Sequence, residues 1–153
     1  MFSMGGSVPV VTATARAAME AFDLGDTRFH PITPWASDRK TRIESEPLFI
    51  VNCCNVKSAL TWDGDIVAGV TRRRRKPEEI DGIPRWRGFF PENLIFGPDA
   101  LEGPDLWMEK HLIDGLFLSP RMAEGLTEAG LVQGWYLEPT QVDTGSEVEK
   151  HDA

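Results

Sequence analysis

Three histidines, two cysteines and a scatter of acidic and hydroxyl side chains are the groups here that could bind a metal or act on a substrate. Their spacing decides which reactions are open. His30, His111 and His151 stand far apart, and no pair has the i, i+4 spacing of a helix-borne metal site. Cys53 and Cys54 are adjacent. Neighbours on a strand point to opposite faces, so they are not expected to bridge one another. No second cysteine pair lies at zinc-ligand spacing, and both read as buried thiols in a reducing compartment. Serine, histidine and aspartate are present without a Gly-x-Ser-x-Gly elbow. The glycines form neither a Gly-x-Gly-x-x-Gly turn nor a Gly-Lys-Ser/Thr phosphate loop. The expectation is a protein with no catalytic residues, no metal and no cofactor: not an enzyme.

Contact chemistry is better represented. Arg72, Arg73, Arg74, Arg75 and Lys76 form a basic run. Such a run can grip nucleic-acid phosphates, with Trp86, Phe89 and Phe90 nearby for stacking. Glu78, Glu79 and Asp81 follow at once and partly neutralise it, so a solvated loop or a protein contact competes with that reading. Asp63 and Asp65 flank Gly64, which reads as a turn with solvated acids and alternatively as a cation site. Of the five tryptophans, Trp35 and Trp86 lie in loop-like, charged surroundings. Both are candidate interface anchors, a role that Trp and Arg commonly fill.

The chain has 153 residues, enough for one domain with a substantial core. It carries 16 Lys and Arg against 24 Asp and Glu, a net charge of -8. Because the basic run is concentrated, the rest of the chain is more acidic still. An acidic body repels nucleic-acid phosphate at long range and attracts a basic protein. No apolar run reaches the ~18 residues of a membrane helix, and the N-terminus lacks the pattern of a secretory signal. A cytoplasmic location is expected.

The elements that must carry these residues follow from periodicity. A small-residue helix leading through a turn to a short strand that stops at proline occurs twice. The copies are VVTATARAAMEAFDLGDTRFHP (residues 10–31) and FLSPRMAEGLTEAGLVQGWYLEP (residues 117–139). Aligned from their caps, they pair Val11 with Leu118, Thr12 with Ser119, Met19 with Leu126 and Leu24 with Leu131. Thr12 or Thr14 caps the first helix, Gly25 suits its end, and Ser119-Pro120 starts the second. PLFIVNCCNV (residues 47–56), apolar on both faces, predicts a central strand. A helical turn is expected at 58–60 and short strands at 66–71, 85–90, 93–96 and 106–112. On the last of these Leu106 and Met108 share a face. The fold class is α+β: a largely antiparallel sheet with two or three helices, and helix–strand units near both ends. Residues 1–9 read as a flexible N-terminus, 10–142 as a single domain and 143–153 as an acidic disordered tail.

This order of elements resembles family 11 of the bacterial polymorphic-toxin immunity proteins, formerly a domain of unknown function. Four stretches carry the resemblance: AAMEAFDLGDTRFHPI (17–32), LFIVNCCNVKSALTWD (48–63), NLIF (93–96) with LWMEKH (106–111), and LFLSPRMAEGLTEAGLVQGWYLEP (116–139). The closing helix with its Glu-Ala-Gly-Leu ending is the most specific. The basic run at 72–76 has no counterpart in that pattern. The resemblance implies a protein that binds a cognate toxin and neutralises it by occlusion, with no residues of its own doing chemistry. A basic toxin would suit the acidic body. The candidate contact residues are Arg72, Arg73, Arg74, Arg75, Trp86, Asp63, Asp65 and Trp35. The alternative is a small nucleic-acid or regulatory binding module built on the 72–76 run. No membrane partner is expected, and homodimerisation stays open.

Overall fold

A computed structural model describes residues 2–4, 9–63, 66–67, 77–87 and 89–144. The elements in chain order are β1 (Phe2–Met4), β2 (Val10–Thr12), α1 (Ala13–Met19), β3 (Arg28–Ile32), β4 (Leu48–Asn52), β5 (Val56–Lys57), β6 (Trp62–Asp63) and β7 (Ile66–Val67). They continue with β8 (Glu78–Ile80), β9 (Ile83–Arg87), β10 (Ile95–Phe96), β11 (Leu106–Glu109), β12 (Leu112–Ile113), β13 (Leu116–Leu118), α2 (Pro120–Glu128), β14 (Leu137–Pro139) and β15 (Gln141–Val142). The fold is α+β and mostly antiparallel, with parallel pairings at β5–β11, β9–β12 and β10–β15.

The two copies of the sequence pattern become two units of one design. In the first, β2 and β3 both run antiparallel to β4, which lies between them. In the second, β13 and β14 both run antiparallel to β1, which lies between them. Each is a strand–helix–strand unit split by a middle strand from elsewhere in the chain. The cap-aligned pairs agree: Val11 and Leu118 are buried, as are Met19 and Leu126. Thr12 Oγ1 accepts from the Ala15 N–H at 3.1 Å, and Ser119 Oγ accepts from the Met122 N–H at 3.2 Å. Each hydroxyl satisfies a donor that the first helical turn leaves open.

The larger sheet runs β14-β1-β13-β11-β5 and separates two cores. Strand alternation sends Leu106, Leu116 and Leu118 to one side, where α1 and α2 cover them with Met19, Met122 and Leu126. Trp107 and Phe117 point to the other side and stack with ring centroids 5.0 Å apart. Phe96 meets both edge-on at 5.5 and 5.2 Å. Leu94, Trp86 and Leu112 complete this second core. At Gly125, α2 lies close to the turn that follows α1: a Cβ there would lie 2.8 Å from Phe22 Cζ.

Several expectations need correction. Phe2–Met4 was expected within a flexible end, yet it is the middle strand of the second unit, because pairing on both sides supplies what three residues cannot supply alone. Helix α1 stops at Met19, short of the Gly25 end. Tertiary bonds then take over: Asp105 Oδ2 accepts the Asp23 N–H at 2.8 Å and Asn55 Oδ1 accepts the Asp26 N–H at 2.8 Å. Residues 58–60 form no helical turn; Leu60 bridges Phe96. Strand β3 runs one residue past Pro31, while β14 ends at Pro139. Cys53 is buried, but Cys54 is exposed; both are free. Met108 shares its face with Leu106 but is 37% exposed, because only the two-residue β5 lies beyond it. Asp143, placed with the tail, donates its N–H to Phe96 O at 2.8 Å; residues 145–153 lie outside the described residues.

Candidate interaction surface

The buried carboxylates Asp105 and Glu109 are occupied by the fold, while Arg85 Nε, Trp107 Nε1 and Thr140 Oγ1 are buried without a hydrogen-bond partner. Asp105, 3% exposed, accepts from Ser119 Oγ at 2.6 Å, from Arg121 Nε at 2.7 Å and from the Asp23 N–H. A second bond from Arg121 Nη2 completes a bidentate pair. One carboxylate therefore ties the end of the first helix–strand turn to the start of α2. Burial would push its carboxyl up, but the bonds from Arg121, Ser119 and Asp23 outweigh that and hold it below the ordinary carboxylate value. Asn55 does the companion task. Its amide donates to Leu24 O at 2.7 Å and Leu106 O at 2.8 Å.

Glu109 faces the second core side and is also buried. Its Oε2 accepts the N–H groups of Ala59 at 2.9 Å and Leu60 at 3.3 Å, and its Oε1 accepts the His111 N–H at 3.3 Å. Burial raises its carboxyl above the usual value in spite of those bonds. Lys57 lies over the Trp107 ring at 4.9 Å and donates to Ala100 O and Glu102 O. Burial lowers its ammonium, against the pull of Asp105, Asp23 and Glu102.

One serine–histidine pair does form. Ser58 Oγ lies 3.4 Å from His111 Nε2, and His111 Nδ1 lies 3.2 Å from Pro84 O. Acyl transfer on Ser58 would also need free N–H donors for the oxyanion. The next two N–H groups, of Ala59 and Leu60, are already held by the Glu109 carboxylate, which would repel an oxyanion there. Among the described residues no group of three His, Cys, Asp or Glu side chains could hold a metal.

Of the candidate contact residues, Trp35, Asp63 and Trp86 are described, and they lie on different elements. Trp86 is 9% exposed and packs in the second core, because β9 pairs with β12 and turns its ring inward; it is not the exposed side chain that its charged neighbourhood suggests. Asp63 lies at the end of β6, paired with Ile66 of β7. Asp65, Arg72, Arg73, Arg74 and Arg75 lie outside the described residues. Trp35 is presented to solvent, 54% exposed.

Trp35, whose charged surroundings suggest a loop, stands on a hairpin. It bridges Arg42, flanked by bonds from Ala36 N–H to Thr41 O at 2.8 Å and from Ile43 N–H to Pro34 O at 3.0 Å. Asp38 clasps the tip: its Oδ1 accepts from the Lys40 and Thr41 N–H groups at 2.8 and 2.9 Å, and its Oδ2 accepts from Thr41 Oγ1 at 2.6 Å. The Thr41 hydroxyl and the two N–H groups hold the Asp38 carboxyl below its ordinary value. Where the hairpin rejoins the sheet, a cleft of about 170 Å³ opens. Ile32, Pro34, Ile43, Pro47 and Leu48 form its apolar walls, and Arg42, Glu44 and Glu46 stand among its lining residues. The signal available in the sequence was Asp38 followed by Thr41 between two prolines, a side-chain-capped turn.

Comparison with known proteins returns no match: no family model, no curated protein and no solved structure is significantly similar to the chain. Among the described residues no helix is long and apolar enough to cross a membrane.

Proposed function

We propose that this chain is an immunity protein that binds a cognate bacterial toxin and neutralises it by occlusion. The observation that carries the reading is the Trp35 hairpin, an exposed aromatic on a frame already closed by hydrogen bonds. A binder that has ordered its contact loop in advance loses less freedom on association. The inward-facing carboxylates Asp105 and Glu109 and the Asn55 amide support the same reading, since each holds backbone or helix termini in place. The order of elements between residues 10 and 139 resembles the immunity family described above. The net charge of -8 suits a basic toxin such as a nuclease.

The test is a pull-down of the tagged chain with the product of each adjacent gene at physiological salt. A tight complex with a toxin-like neighbour, accompanied by loss of that neighbour's toxicity, is the expected result. If no neighbour binds at micromolar concentration, the reading is wrong. Salt-sensitive binding to random RNA instead would favour the basic-run module.

A further inference from the structure

We infer that the cleft between the Trp35 hairpin and the β2-β4-β3 sheet receives a basic, apolar-flanked segment of the protein partner. The inference rests on the function proposed above and names the surface that serves it. Three observations carry it.

The first is size. At about 170 Å³ the cleft is smaller than the roughly 300 Å³ and upward of small-molecule sites. That volume suits side chains arriving on another chain rather than a free ligand. The second is charge. Glu44 and Glu46 line the cleft, are exposed, and form no ion pair among the described residues. Glu46 accepts the Thr14 hydroxyl at 3.2 Å, which orients it without neutralising it. Arg42 is the one cation in the lining, so two carboxylates face one guanidinium. The cleft therefore keeps the sign of the whole chain. A lysine or arginine entering between Glu44 and Glu46 can lay its aliphatic stem along Ile32, Pro47 and Leu48 while its charge meets the carboxylates. The third is preorganisation. Trp35, 54% exposed, and Ile43, 46% exposed, are held on a hairpin whose tip Asp38 closes and whose turn uses Arg39 at φ 57°. Large apolar groups on a rigid support beside a small cleft are the usual anatomy of an interface centre.

The surface can be tested with and without a partner. In the first arm the peptide Ac-Leu-Arg-Leu-Arg-NH2 is titrated into the isotopically labelled chain and followed by NMR. The expected result is saturable movement of the Ile32, Ile43, Glu44 and Glu46 amides and the Trp35 indole, with affinity of about 1 mM. The double variant Glu44→Gln/Glu46→Gln should weaken it about tenfold, and a Leu-Glu peptide should leave the same signals still. Absence of movement at the cleft up to about 10 mM, or equal movement with the Leu-Glu peptide, overturns the inference. In the second arm the adjacent-gene product that binds the chain is measured against Trp35→Ala and the same Gln pair. Both changes are at exposed positions, and unchanged thermal midpoints control for folding. A loss of about tenfold or more supports the inference. An intact complex with less than about a twofold loss sinks this surface while leaving the immunity function standing. If no neighbour binds, the function falls and the first arm alone decides the cleft.

Discussion

Asp105 and Glu109 are two buried carboxylates four residues apart, the first just before β11 and the second at its end, and their surroundings drive them in opposite directions. Asp105 gains an arginine, a hydroxyl and a backbone N–H, and its carboxyl is lowered. Glu109 gains only backbone N–H groups, and burial leaves it raised. The signs of their pH linkage therefore differ. The contribution of Asp105 is present above its unfolded value of about 3.9 and is lost as pH falls through its lower folded value. That of Glu109 is fully present below its unfolded value of about 4.3 and is lost as pH rises through its higher folded value. Asp105→Ala strands the Asp23 N–H and the Ser119 hydroxyl. It should cost about 2–3 kcal/mol at pH 7 by denaturant unfolding, Arg121 being 66% exposed and free to rehydrate. Glu109→Gln keeps an acceptor for Ala59 and Leu60 and removes a buried charge. It should lie within about 1 kcal/mol of the wild type at pH 7. On going from pH 7 toward pH 4 the wild type should gain on it. A wild type that loses ground to the Gln variant over that range would show that the bonds, not burial, dominate at Glu109.

At the scale of elements, the two split strand–helix–strand units depend on backbone positions with little freedom. Gly25 has φ 50°, and a Cβ there would lie 2.4 Å from Asn55 Oδ1. Gly25→Ala therefore strains the turn and displaces the amide that joins Leu24 to Leu106. A loss of about 2–3 kcal/mol is expected. Gly125→Ala is a sharper comparison. Alanine gains about 1 kcal/mol of helix propensity, but its Cβ would lie 2.8 Å from the Phe22 ring. Overpacking costs about 1–3 kcal/mol, so the net change should be a mild destabilisation of about 1 kcal/mol. The variant Phe22→Leu/Gly125→Ala should recover part of it. Thermal melts of the three proteins check this, and a stabilised single Gly125→Ala would mean that Phe22 swings away at no cost. Capping was legible locally: Thr12 and Ser119 are hydroxyls ahead of alanine- and methionine-bearing helical stretches, and both cap. Strand β1 was not legible, because three residues before a Gly-Gly pair carry no period. It pairs with β13 and β14, more than a hundred positions away.

For the whole molecule, a net charge of -8 predicts that association with a basic partner, such as the toxin proposed above, is steered. The association rate should fall by about tenfold or more between about 0.02 and 0.2 M salt while dissociation changes little. Stopped-flow mixing at the two salt concentrations checks this, and a salt-independent association rate would remove charge from the argument. The candidate surface was only partly legible. Trp35 and Trp86 look alike in sequence, each in a charged neighbourhood. Yet Trp86 faces inward on a paired strand, while Trp35 stands on a hairpin with no layer over it.

Local physical chemistry, acting over a few residues, determined the two capped helices, the central apolar strand at 48–52, the α+β class and the absence of familiar catalytic motifs. Each depends on side-chain periodicity or on a hydroxyl three residues from an N–H. The tertiary structure alone decided which strand completes each unit, which of Trp35 and Trp86 is exposed, and that a cleft opens where the hairpin at 34–43 meets the sheet. These depend on pairings between distant segments, such as Asp105 with Asp23 and Asn55 with Leu24, for which a single chain read in order carries no local signal.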